Sequence, residues 1–179
     1  MVEQWDIYDE NGLKTGRLHK PGKPLQKGEY HLVVHVWILN NKDEFLIQKR
    51  IPGTRDISGK WETVGGHAIA GEDSIQAAVR EAYEEIGVNL DPTNGRLYIR
   101  RIEEYPVREG SARAFCDVWI FRQEIDIKNV VLNPDETCDV MWAGPGEVLQ
   151  MVEDGIFRTR KCYPYIDDLL SLYKEVKIR

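Results

Sequence analysis

The sequence predicts an α/β fold, a central sheet covered by helices on both sides. Segments rich in β-branched and aromatic residues recur along the chain, as at 32–39, 45–50 and 114–123. Between them lies one amphipathic helical stretch, with Ile75, Ala78, Val79, Ala82 and Ile86 at spacings of three and four. Strands interspersed with a few helices pack as layers. The chain has 179 residues, which fits one domain with a real core.

Residues 1–28 are polar and too short to bury a core of their own, so they are expected to be an extension packed on a main domain of residues 29–179. Within the extension, 5–8 and 15–18 can form a small hairpin around the turn signal Asp9-Glu10-Asn11-Gly12. Segments 32–39 and 45–50 form a hairpin across Asn40-Asn41-Lys42-Asp43. After a loop over 51–60, Trp61-Glu62-Thr63-Val64 is a short extended piece leading into Gly65-Gly66. A helix follows, with Asp73 or Ser74 as its N-cap and Gly87 as its left-handed C-terminal cap. Later strands are expected near 97–104, 114–123 and 140–143. Short helices are expected over 147–153 and 165–176, the second with apolar faces from Leu169, Leu170, Leu172 and Tyr173.

Composition narrows the function. Twenty-four Lys and Arg against thirty Asp and Glu give a net charge of -6, which argues against broad nucleic-acid binding. The apolar run 32–39, interrupted by His35, is too short to span a bilayer. The first residues lack a basic and then apolar leader, so the expected location is the cytoplasm, with no membrane partner. Cys116, Cys138 and Cys162 are odd in number and share no metal-ligand spacing, so they are expected to be reduced thiols.

The chemistry is concentrated between Gly66 and Val88. Glu81, Glu84 and Glu85 stand at i, i+3 and i+4, so their carboxylates fall within about 100° of one another on one helix edge. Such a cluster is either a solvated helix face, with Arg80 offsetting the repulsion, or a site neutralised by a hard divalent cation. The wider spacing decides between them. Gly66, Glu72, Arg80, Glu81, Ala82, Glu84, Glu85, Gly87 and Val88 match G-x5-E-x7-R-E-U-x-E-E-x-G-U, U being aliphatic, at every specified position. Ala82 is the least typical choice for U.

On these residues the chain resembles the Nudix hydrolases, the MutT-type pyrophosphohydrolases. The resemblance implies an α/β/α sandwich with a mixed β-sheet, the box forming a loop-helix-loop. It also implies hydrolysis of a diphosphate bond in a nucleoside diphosphate derivative or similar organic diphosphate, with Mg²⁺ as cofactor and Mn²⁺ able to substitute. Glu81, Glu84 and Glu85 would ligate the metal, joined by the Gly65 carbonyl, although Gly65-Gly66 equally suits a tight turn. Glu81 is the first choice of general base, and Arg80 would orient a neighbouring carboxylate. Glu72 is open between an orienting role and direct ligation. Outside the box, Glu136 is the best distant acid for metal or base duty, or else a solvated loop acid. Arg50, ending a strand near the expected cleft, would bind phosphate or be an exposed strand-end charge. A homodimer is plausible for this family.

A second resemblance, Trp61 through Gly65-Gly66-His67 with the preceding extension, is to the isopentenyl-diphosphate isomerase branch of the same fold. That chemistry needs a Cys where this chain has Gly65 and an acid where it has Ala114; neither residue present transfers a proton. Hydrolysis is therefore the expected reaction, with isomerisation and non-catalytic nucleotide binding as alternatives. Trp5, Tyr30, Trp37, Tyr105, Trp119 and Trp142 can stack a base, but such aromatics more often fill cores.

Overall fold

The computed structural model describes residues 3–19, 23–53, 58–106 and 111–174. The N-terminal segment forms β1 (Trp5–Tyr8) and β2 (Lys14–His19), a separate two-stranded antiparallel sheet. The main sheet is built from β3 (His31–Leu39), β4 (Phe45–Arg50), β5 (Trp61–Glu62), β6 (Val64–His67), β7 (Gly95–Pro106), β8 (Ser111–Arg122) and β9 (Thr137–Ala143). Helices α1 (Ser74–Ile86), α2 (Pro145–Glu153) and α3 (Ile166–Lys174) complete the fold.

The strand order is β5-β4-β3-β8-β7, with β6 also paired to β3 and β9 to β4. Among the described strands of this sheet, β3 and β8 alone pair in parallel, His31 opposite Ala114 through Leu39 opposite Arg122, so the sheet is mixed. With β8 along one whole edge of β3, the other edge is divided. Its C-terminal end pairs with β4, and Val33–Val36 pair with β6. This division opens the sheet where β6 delivers the chain into α1.

Alternation along β3 sorts the two cores. Val34, Val36 and Ile38 face α1 and pack with Ala77, Ala78, Ala82 and Ile86. Trp37 and Leu39 face the other way, onto α2 and α3 with Phe45, Phe157, Tyr163, Tyr165, Leu169 and Leu170. Each fully buried Val, Leu, Ile or Phe among them contributes about 1.5–3 kcal/mol. The result is a sandwich with helices on both faces of the sheet.

The expected strands and helices lie where the pattern put them within the described residues, with two differences; residues 175–176 of the last expected helix lie outside those residues. The extended piece 61–64 is broken into β5 and β6 at Thr63, whose hydroxyl turns inward to donate to the Val36 carbonyl. Leu172 is not part of an apolar face; it is 53% exposed, while Leu169 and Leu170 are buried. All three cysteines are free thiols. Trp37 is fully buried, which makes it core. The side chain of Tyr105, named above as a stacking residue, lies outside the described residues. Among the described residues no helix is long and apolar enough to cross a membrane.

The β1–β2 hairpin grips the loop that leads into α1. Trp5 stacks on His67 at 4.2 Å and 5°, and on His19 at 5.4 Å and 19°. The Ala70 N–H donates to the Gln4 carbonyl, and the Gly71 N–H to Asp6. Lys14 pairs with Asp6 and donates to the Glu72 carbonyl. Truncating Trp5 to Ala should cost roughly 2–3 kcal/mol, below the usual Trp value because the ring is only partly buried. Amide exchange should quicken first at Ala70 and Gly71, whose partners belong to the hairpin. Unchanged exchange at those two amides would show that the hairpin does not hold the loop.

Candidate active site

Helix α1 positions the acidic cluster. Asp73 accepts from the Gln76 N–H while the Gln76 side chain accepts from the Asp73 N–H, a reciprocal cap. Gly87 ends the helix in the left-handed region at φ 66°, and a side chain there would press on Val131. The alanine-rich stripe lets the helix sit close on the sheet. Glu81 and Glu85, at the margin of that stripe, are buried with it at 9% and 3% exposure.

Arg80 organises the surroundings. Its Nε and Nη2 donate to the two oxygens of Glu72 at 2.7 and 3.1 Å. Its Nη1 donates to Glu81 at 3.0 Å and Glu84 at 2.7 Å, and Nη2 also donates to the His67 carbonyl at 2.8 Å. A guanidinium has five N–H donors, so all are engaged within the protein. Glu72 also accepts from the Ile69 N–H. Its carboxylate is thereby committed to fixing Arg80 and the loop.

Glu85 is held differently. Its Oε2 accepts from the Gln48 amide at 2.7 Å and the Gly65 N–H at 3.0 Å, both neutral donors. Gln48 is fixed in turn by the Thr137 hydroxyl at 2.9 Å. Gln48 and Thr137 were missed in the sequence. The available signal was a polar residue on β4 two positions from Leu46, hence on its α1 face. Gly66 is glycine because Glu81 lies against it: a Cβ would stand 2.5 Å from Oε1. Gly65 is glycine because its Cβ would stand 2.2 Å from the Val34 carbonyl oxygen, at φ +156°.

Burial, together with the charges of Glu84 and Glu136, pushes the Glu81 carboxyl up to about 7 against the pull of Arg80. Burial and the neighbouring Glu81 charge raise Glu85 as well. Glu136 sits in an exposed loop before β9, its carbonyl accepting from the Ile51 N–H, close enough for its charge to act on Glu81. Arg50 ends β4 and binds the buried Glu62 at 2.8 Å.

The expected shared edge of three glutamates is thus divided. Glu81 and Glu85 are buried together, while Glu84 is 51% exposed and paired with Arg80. Among the described residues, no three His, Cys, Asp or Glu side chains stand with ion-holding geometry as they are. The donor set still suits a hard cation: two buried carboxylates, raised toward neutrality by burial, beside a glycine backbone that admits close approach.

The profile of the NUDIX domain matches residues 29–166. An uncharacterized Nudix hydrolase of Listeria monocytogenes is 34% identical over 172 residues, 96% of this chain and 95% of that one. An isopentenyl-diphosphate Delta-isomerase of Pectobacterium atrosepticum is 36% identical over 147 residues, 80% of this chain and 78% of that one. The crystal structure of DR0079 from Deinococcus radiodurans matches with a TM-score of 0.65 at 20% identity, covering 97% of this chain and all of that one, a likeness of fold.

The raised Glu81 carboxyl has a stability consequence. The folded protein keeps this proton up to about pH 7, whereas the unfolded chain releases it near 4.5. Its contribution is full below about pH 4.5 and is lost as pH rises through about 7, roughly 3 kcal/mol in all. Metal-free protein should therefore lose stability between about pH 5 and pH 8 in urea titrations, and Glu81→Gln should remove much of that slope. An equally steep loss in the variant would reject the assignment.

Proposed function

The chain belongs to the Nudix family of pyrophosphohydrolases, and from that premise we propose that it hydrolyses the diphosphate bond of a nucleoside diphosphate derivative or similar organic diphosphate, with Mg²⁺ or Mn²⁺ bound. The observation that carries this reading is the burial of Glu81 and Glu85 together against Gly65-Gly66, where two carboxylates without a cation repel. Glu81, Glu85 and the Gly65 carbonyl would hold the ion, with Glu84 and Glu136 at its margin. When bound, the ion polarises the phosphate, lowers the pKa of water and neutralises the leaving group.

The protein residues then have distinct work. Glu81 accepts a proton from the attacking water, whose oxygen bonds to phosphorus as the bond from phosphorus to the bridging oxygen breaks. The departing phosphate takes up a proton from solvent. A bound cation favours the ionised form of this buried carboxyl, the form that can accept a proton. Arg80, with every donor engaged, keeps Glu81 in place and does not reach the substrate. Glu136 is the second candidate base, and Arg50 binds a phosphate oxygen while leaning on Glu62.

Isomerisation of isopentenyl diphosphate, the reaction named for one relative, is disfavoured by position 65. There the backbone leaves no space for the thiol that the chemistry needs, and Ala114 supplies no acid.

Two outcomes are expected. Screening diphosphate compounds with Mg²⁺ or Mn²⁺ should find one that is hydrolysed, and Glu81→Gln should slow its turnover by about 10²–10⁴-fold. Near-wild-type turnover in that variant would move the base to Glu136. Incubation with isopentenyl diphosphate and Mg²⁺ should yield no dimethylallyl isomer; its formation at an enzyme-like rate would overturn the reaction class.

A further inference from the structure

Beside the acidic cluster lies a second constellation, built around the buried carboxylate of Glu62, of which the hydrolytic reading uses only Arg50 on its Glu62 partner. Glu62 is 2% exposed and binds two guanidiniums at once, Arg50 at 2.8 Å and Arg158 at 2.9 Å. Arg158 comes from the strap that follows α2. That strap is laid on β5 by two backbone bonds, Trp61 N–H to the Ile156 carbonyl and Arg158 N–H to the Trp61 carbonyl. The guanidinium lies over the Tyr163 ring at 5.4 Å, and a quarter of the side chain remains exposed. Its Nε is buried without a hydrogen-bond partner among the described residues.

The position relative to the carboxylate pair follows from the sheet. Glu62 stands directly opposite Gln48 in the β4–β5 ladder, and Gln48 is the residue that donates to Glu85. Arg50, two positions further along β4, shares that face. One strand step, about 5 Å, therefore separates the strand holding Glu85 from the strand that carries Glu62. The other charges near Arg158 come from β7: Glu103, which feels Arg158, and Arg101 beside it. Among the described residues, Glu103 Oε1 and Arg101 Nε also have no hydrogen-bond partner. Arg50, Arg158 and Arg101 thus lie among Glu62, Glu103 and, on the side of Arg50, Glu85.

We propose that Arg158, oriented by Glu62 and Tyr163, binds the phosphate group of the substrate that faces away from the Glu81–Glu85 pair. A single carboxylate shared by two guanidiniums leaves donors on both directed elsewhere, and a phosphate matches the planar fork of arginine. Glu62 is then a positioning residue, holding Arg50 and Arg158 as two arms of one clamp. The assignment rests on the hydrolytic reading for the direction in which the diphosphate lies.

Imidodiphosphate, whose bridging nitrogen resists hydrolysis, is the probe. Its affinity is measured by calorimetry with and without Mg²⁺ for wild type, Arg158→Met and Arg158→Lys. Mn²⁺ affinity without the probe and thermal stability are measured alongside. Arg158→Met should weaken imidodiphosphate about tenfold or more, and Arg158→Lys should recover part of the loss. Mn²⁺ affinity should stay as in wild type. Unchanged imidodiphosphate affinity in Arg158→Met, or no binding by wild type, would overturn the proposal. A loss of probe affinity matched by loss of Mn²⁺ affinity would also overturn it, since Arg158 would then only secure the strap. Should Arg158→Met not fold, Arg158→Lys decides: weaker probe binding with intact Mn²⁺ affinity supports the proposal, and wild-type binding overturns it. Arg158-dependent probe binding in a protein that takes up no Mn²⁺ would remove the metal reading and leave this one standing.

Discussion

The site depends on one guanidinium. Glu81 and Glu84 lie one turn apart on a helix, and Glu72 approaches from the preceding loop; in its absence the three carboxylates would repel. Arg80 spends all five donors on these glutamates and the His67 carbonyl. Each charge-assisted bond also serves as a geometric restraint, and together they fix the loop, the strand end and the helix relative to one another. The hairpin extends the same chain of restraint outward. It holds residues 70–72 through Gln4, Asp6 and Lys14, so the position of Glu72, and through it of Arg80, is set partly by the N-terminal segment. Glu85 lies outside this net, held by neutral donors alone, and is the more deeply buried of the pair.

Most of the fold was legible because local physics wrote it. The period of α1, its cap residues and the β-branched runs 32–39 and 45–50 are short-range signals. The parallel pairing of β3 with β8 was not legible, since nothing local records which distant strand a given edge accepts. The site divides in the same way. The box spacing brought Glu81, Glu84 and Glu85 onto one helix, but spacing carries no burial, so it could not separate exposed Glu84 from its buried neighbours. Gln48, Thr137, Glu62 and Arg158 escaped because each matters through a partner remote in sequence. Glycines 65 and 66 were visible as a doublet. Their separate reasons, a carbonyl from β3 and a carboxylate from α1, exist only in three dimensions.

That difference between the two glycines bears on how one fold serves different reactions. A chain similar over four-fifths of its length to an isopentenyl-diphosphate isomerase nonetheless presents, at position 65, a backbone pressed against the Val34 carbonyl. The restriction is steric and belongs to the strand pair, so changing one side chain does not by itself convert the site. Fold sets where residues can be placed, and the local backbone decides which residue types fit there.

The divided edge of β3 also bears on how the chain is made. Its partners on one side, β4 and β6, follow within a few tens of residues, but its partner on the other side, β8, is about 80 residues away. During synthesis from the N-terminus, the strand at the centre of both cores therefore waits with one whole edge of peptide groups unsatisfied while α1 and β7 are added. An apolar strand with an open edge is the surface on which chains aggregate. The interval in which residues 40–120 are added is thus the window in which this edge is open to other chains.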